Sequence, residues 1–200
     1  MEIVPAPKTT PAQALDIFRP VLLRGLAAAV YSLLSIFWIG ADEKVFAYCT
    51  AGLLVLTGAF MWQYVTVDSA PEKSRGAYAL GAGLMMVAGI AEIFVPSPMW
   101  VGFVAAFGFL AAGVAELTVF FTLRNDYPPF RNQMISGAVA LLLAVALCFG
   151  FNLDAHGMFG LLGGGTIILA VFELIAGFGH LHESKPLRTA AGAAGNNENN

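Results

Sequence analysis

The sequence predicts an all-α membrane protein, with six transmembrane helices arranged as three tandem parallel helical hairpins that repeat about every 56 residues. Three observations carry this expectation. Hydrophobic residues make up 58% of the chain and charged ones 12%, about half the charged share of a soluble protein. Six runs approach the roughly 20 apolar residues needed to cross about 30 Å of hydrocarbon as a helix; they lie at approximately 21–39, 45–65, 77–95, 100–122, 134–151 and 158–179. Lastly, Gly25, Gly81 and Gly137 recur at a spacing of 56 residues.

The N-terminal segment 1–19 begins with a proline-rich tail that has little to bury. Within it, "PAQALDIFRP" (11–20) fits two descriptions. It can lie at the interface as an amphipathic helix with Leu15, Ile17 and Phe18 in lipid, or it can form the first turns of span one. No secretory signal is expected ahead of that span, because no small-residue cleavage site follows a short apolar core. The membrane domain runs from 20 to 180, with hairpins at about 20–65, 77–122 and 134–179. Residues 181–200, ending "TAAGAAGNNENN", are expected to form a disordered cytoplasmic tail. Cys49 and Cys148 fall inside spans, where a thiol acts as a small hydrophobe, and they offer no disulfide framework or metal spacing.

Orientation follows from the basic residues. Lys8, Arg19, Arg24, Lys73, Arg75, Arg124, Arg131, Lys185 and Arg188 fall on one side and Lys44 alone on the other. By the positive-inside rule both termini are expected to be cytoplasmic, and an even number of spans agrees in placing them on one side. The turns at 40–44, 96–99 and 152–157 are then external and carry Asp42, Glu43, Asp154 and His156. They are too short to form a receptor domain.

The repeat constrains the architecture more than any single residue does. Each recurring glycine sits early in an outward span: "LLRGLAAAV", "YALGAGLMM" and "MISGAVALL". The return spans align as "TAGLLVLTGAFMWQYV", "AAFGFLAAGVAELTVF" and "LGGGTIILAVFELIAGF", which makes Met61, Glu116 and Glu173 equivalent. All three hairpins start on the same side, so the repeats are parallel rather than inverted. The chain has 22 glycines in 200 residues, above the usual share of about 7%. Gly160 and Gly164, with the pairs Ala79/Gly83, Gly108/Ala112 and Ala111/Ala115, have the small-xxx-small spacing that lets helices approach closely in lipid. Packing within the chain is the favoured reading, with a dimer seam as the alternative. "GLLGGGT" is no phosphate loop, since no lysine follows and the stretch lies in a span.

Tandem hairpins with an early glycine, a proline-containing turn ("FVPSPMW") and return helices ending "GVAELTVFFTLR" and "AVFELIAGFGH" resemble the HdeD-like family of small bacterial inner-membrane proteins, over about residues 20–180. The resemblance implies a six-span inner-membrane protein; the best-known member is associated with acid resistance at high cell density. It brings no established catalytic residue. Glu116 and Glu173 match the glutamate-bearing return helix, whereas Met61 departs from it, which weakens any scheme needing three equivalent carboxylates.

The two glutamates stand out physically. Each lies about seven residues from the cytoplasmic end of its span, hence on the order of 10 Å deep at 1.5 Å per residue. A carboxylate at that depth costs several kcal/mol unless it faces the bundle interior with a partner or takes up a proton. Arg24 lies at comparable depth and is expected to pair with one of them. Glu92, within about a turn of Pro96, can snorkel to the outer interface; it is otherwise counted with Arg24, Glu116 and Glu173 in the intramembrane clasp or proton-linked set.

A structural polar clasp is the leading reading of Arg24, Glu116 and Glu173; a proton- or solute-linked role and a subunit-docking site are the alternatives. His156, His180 and His182 read as ordinary interfacial histidines, and "HLH" lacks a full metal-ligand set. No cofactor is implied, and no hydrolase triad, zinc-protease motif or dinucleotide fingerprint is present, so no enzyme is expected. Trp38, Trp62 and Trp100 fall at span ends as membrane anchors. Expected partners are the lipid bilayer and either a second copy or a larger membrane protein, with nucleic acid excluded. The functional expectation is a non-enzymatic protein of stress or envelope physiology, with a role as an accessory subunit of a membrane complex open to it, against a permeation pathway for protons or a small solute. Polar side chains in mid-span are limited to Ser32, Ser35, Thr57 and Thr166, too few for a water-filled pore.

Overall fold

The computed structural model describes residues 9–95, 97–150 and 152–185. These form α1 (Pro11–Phe37), α2 (Glu43–Thr66), α3 (Glu72–Glu92), α4 (Pro98–Leu123), a 3-10 turn (Pro128–Asn132), α5 (Gln133–Phe149) and α6 (Ala155–Glu183), with no strand among the described residues. Residues 1–8 and 186–200, parts of the two expected tails, lie outside them.

Local chemistry sets the helix starts. At α1 the Gln13 amide donates to the Thr10 hydroxyl at 3.3 Å and the Thr10 amide donates to the Gln13 side chain at 3.0 Å, a reciprocal cap. Residues 11–20 are therefore the opening turns of α1 rather than a separate helix, and Ile17, expected in lipid, is buried. Asp42 and Asp154 each accept a backbone amide at 2.8 Å, starting α2 and α6, so these two acids of the short turns act as helix caps. At the other terminus α6 continues to Glu183, and residues 181–183, expected in the tail, are helical.

Five helical segments are long and apolar enough to cross a membrane. The exception is α3, which starts with Glu72, Lys73 and Arg75 and ends at Glu92. Large apolar side chains cover the outside, including Val30, Leu33, Ile36, Leu142, Val145, Ile175 and Phe178. Water would penalise such a surface and lipid would not, so the described chain has the make-up of a multi-pass helical membrane protein.

The helices associate most extensively as α1 with α6, α2 with α3, α4 with α5 and α3 with α4, whereas α1 with α2 and α5 with α6 touch less. Glycines permit the close approaches. A methyl added at Gly25 would lie 3.2 Å from Glu173 Cβ, one at Gly137 would lie 3.1 Å from Glu116 Cβ, and one at Gly81 would lie 2.6 Å from the Ala115 methyl and 3.0 Å from the Met61 terminal methyl. Each recurring glycine thus meets a member of the set Met61, Glu116 and Glu173.

Gly160 and Gly164 correct the sequence reading: both face outward with nothing within 4 Å of an added Cβ. Helix rotation instead turns Gly163 against Ser35 and Gly165 against Leu143. These contacts give opposite signs for two alanine substitutions in one helix. Gly81→Ala should destabilise the bundle by about 1–3 kcal/mol through overpacking, while Gly83→Ala, where nothing lies within 4 Å, should stabilise it by about 0.5–1 kcal/mol. Thermal unfolding of the two variants in mild detergent checks both.

The connection between α4 and α5 folds back into the end of the bundle. Phe130 is fully buried, and its ring centroid lies 5.4 Å from that of Tyr78 and 4.6 Å from that of Tyr127. Tyr64 and Tyr78 stack with centroids 4.8 Å apart. Burial pushes the Tyr127 phenol above its usual range, so it remains a neutral hydroxyl, hydrogen-bonded with Ser69 at 2.9 Å. "YPPF" (127–130) is therefore a plug rather than an open loop.

Candidate functional site: a buried arginine between two glutamates

Arg24 on α1 reaches both carboxylates. Its Nη2 forms an ion pair with Glu116 Oε1 on α4 and a second one, at 2.9 Å, with Glu173 Oε1 on α6. The pairing is wider than the single partner expected. Arg24 and Glu173 are each 5% exposed and Glu116 is 0% exposed. A charge cluster this deep persists only when its members compensate one another.

The helices place these groups in simple ways. Gly25 and Gly137, beside the Glu173 and Glu116 Cβ atoms, remove the bulk that would hold neighbouring backbones apart. Met61 is fully buried and occupies the corresponding place on α2 as an apolar filler. Tyr64 and Tyr78 separate the charges from the Phe130 plug.

Compensation is incomplete. One guanidinium faces two carboxylates, and Arg24 Nε, Glu116 Oε2 and Glu173 Oε2 have no hydrogen-bond partner. The Tyr64 hydroxyl and Gln133 approach each other nearby without closing a well-formed hydrogen bond. A cavity of about 200 Å³ adjoins Glu173, lined among others by Tyr64, Gln133, Ser136 and His180.

A second polar layer lies further along the bundle. The Tyr31 and Thr50 hydroxyls pair at 2.9 Å, joining α1 to α2, and those of Ser32 and Thr166 pair at 2.9 Å, joining α1 to α6. Ser35 donates to the Ser32 carbonyl at 2.8 Å. Of these, Tyr31 and Thr50 escaped sequence reading.

Glu92 is a correction. It is 0% exposed, and neither carboxylate oxygen has a hydrogen-bond partner. Closeness to the helix end suggested snorkelling, but its face of α3 turns inward. It is not part of the Arg24 cluster. His180 departs from the interfacial reading too: it is buried, with Nδ1 3.3 Å from Glu183 and Nε2 3.5 Å from Asn132. His156 and His182 are exposed. No group of three His, Cys, Asp or Glu side chains among the described residues is arranged to hold a metal.

Tyr64, Gln133, Ser136 and His180 were missed as neighbours of the cluster. The available signal was weak: a polar side chain every few residues at the ends of α2, α5 and α6, where interfacial anchoring explains them equally well. A scan against protein-family models, a search of the curated proteins and a search of the solved structures each found no match.

Proposed function

We propose that this chain is a non-enzymatic, six-span protein of the bacterial inner membrane in which Arg24 clasps three helical hairpins into one bundle, and that it serves stress or envelope physiology of the acid-resistance kind. The observation that carries the clasp is one buried guanidinium paired with carboxylates from α4 and α6. Arg24 belongs to the first hairpin, Glu116 to the second and Glu173 to the third. The three-fold reading draws support from the matched contacts of Gly25, Gly81 and Gly137. Counting α3 as a span draws support from Leu80 and Val87, which are 66% and 63% exposed on its outer face. The stress role rests on the resemblance to the HdeD-like family, and the basic excess supports cytoplasmic termini. The bundle offers an outer surface suited to a second copy or to a larger membrane complex that it would serve as an accessory subunit.

A proton-linked role is the second reading. It is favoured by the unequal count of one cation and two acids, and by the cavity beside Glu173. Glu116→Gln separates the two, because the amide keeps shape and hydrogen bonding but cannot titrate. The clasp predicts a folded variant with unchanged survival in an acid challenge. Normal folding with lost survival would transfer the role of Glu116 to proton chemistry.

A further inference from the structure

We propose that Glu173 exchanges protons with the aqueous phase through a hydrated cavity that opens at the plugged end of the bundle, with His180 at its mouth. This inference rests on the proton-linked reading and places the exchangeable proton on Glu173, with Glu116 kept ionised beside Arg24.

Tyr64, Gln133, Ser136 and Glu173 all line the cavity; the Tyr64 hydroxyl approaches Gln133 and the Glu173 carboxylate approaches Ser136, yet the Tyr64 hydroxyl, Gln133 Oε1 and Glu173 Oε2 are left without a well-formed hydrogen bond. The site, about 200 Å³ in volume and walled by these polar groups on the inner side and by the outward-facing Phe172 and Ile175 on the other, has room for several waters at about 30 Å³ each. The same water can carry a proton to the Glu173 carboxylate.

Charge bookkeeping gives that proton a role. The groups facing Glu173 are Arg24 from α1, Tyr64 from α2, Tyr78 from α3, Glu116 from α4 and, along its own helix, His180; α5 contributes the neutral Gln133 and Ser136. With both tyrosines neutral, the cluster carries one more negative than positive charge when both carboxylates are ionised. A single proton delivered to Glu173 makes it a neutral acid, while Arg24 stays paired with Glu116 and the cluster reaches zero net charge. No other atom moves between partners.

Glu183 and His180 form the entrance. Glu183 has a side chain 48% exposed and lies 3.3 Å from His180 Nδ1, and His180 in turn lines the cavity. Surface carboxylate, imidazole, cavity water and buried carboxylate therefore follow one another inward. In the other direction the Tyr31, Thr50, Ser32 and Thr166 hydroxyls are paired among themselves, and none of them lines this cavity, so the water path to Glu173 enters from the plugged end.

Infrared difference spectroscopy on the chain in lipid nanodiscs tests this. A Glu92→Gln background removes the buried carboxyl that lies outside the Arg24 cluster and has no hydrogen-bond partner. The expected result is a carboxylic-acid carbonyl band that grows as pH falls and disappears in Glu173→Gln. Ala176→Leu, which fills the cavity from α6, should keep the band but slow its deuterium shift roughly tenfold by displacing water. A titrating band that survives Glu173→Gln, the absence of any titrating band, or exchange unchanged by Ala176→Leu would each overturn the proposal. Should Glu173→Gln fail to fold, the Ala176→Leu comparison still decides; should Ala176→Leu fail, the band assignment does. The readout is independent of acid survival, so a lost phenotype and a lost site are distinguishable.

Discussion

Arg24→Met should cost the bundle about 3–5 kcal/mol near pH 8, the range expected when a buried ion pair loses one partner. Two carboxylates would then face each other in an apolar interior with no cation. Each ionised carboxylate left there opposes folding, and acid relieves the penalty by neutralising it. The deficit should therefore shrink near pH 5, while wild type shows a smaller change over the same window. Thermal unfolding in mild detergent at the two pH values measures it. Loss of either glutamate alone should be milder, since Arg24 keeps the other as a partner. Replacing all three groups with apolar residues of similar volume should recover much of the loss, because neither buried charge nor cavity is left.

Phe130→Ala is expected to have an effect of the same size, about 3–5 kcal/mol. The ring is fully buried against Tyr64, Tyr78 and Tyr127, and the 3-10 turn that carries it cannot collapse easily into the space. Phe130→Leu, which retains most of the volume, should lose under half as much. Chemical denaturation in mixed detergent micelles reads both variants. Equal stability of Phe130→Ala and wild type would mean that the turn is peripheral to the bundle rather than its plug.

Much of the helical order was legible because a run of apolar residues can satisfy its backbone in lipid only as a helix. Arg24, Glu116 and Glu173 were legible for a related reason. Charge is so costly at their depth that each needed a partner, and few candidates lay at matching height. The fixed spacing marked Gly25, Gly81 and Gly137 as contact positions, and all three make close approaches.

Residue height is readable from sequence, but the direction a side chain faces is much less so. Gly160 and Gly164 have the spacing of a packing motif yet face outward, while Gly163 and Gly165 between and beside them take the contacts. Glu92 sits at the last residue of α3, a height that permits snorkelling, but its azimuth buries it. Tyr64, Phe130 and His180 lie near span ends, where aromatic and polar residues anchor to the interface in most membrane proteins. Only the folding back of residues 128–132 turns them into a plug and a cavity wall. That Arg24 would bridge both glutamates was likewise hidden, since it depends on α1 lying along α6 while Glu116 approaches from α4.

The clasp is the central claim, and a double-mutant cycle between Arg24 and Glu116 measures it most directly. Unfolding free energies of wild type, Arg24→Met, Glu116→Gln and the double variant, taken in one detergent near pH 8, give the coupling of the two side chains. Contacting groups in a shared network couple by about 0.5–3 kcal/mol, and the buried pair should fall in the upper half of that range, with the double variant less damaged than the sum of the singles. Additive losses, within about 0.5 kcal/mol, would contradict the clasp.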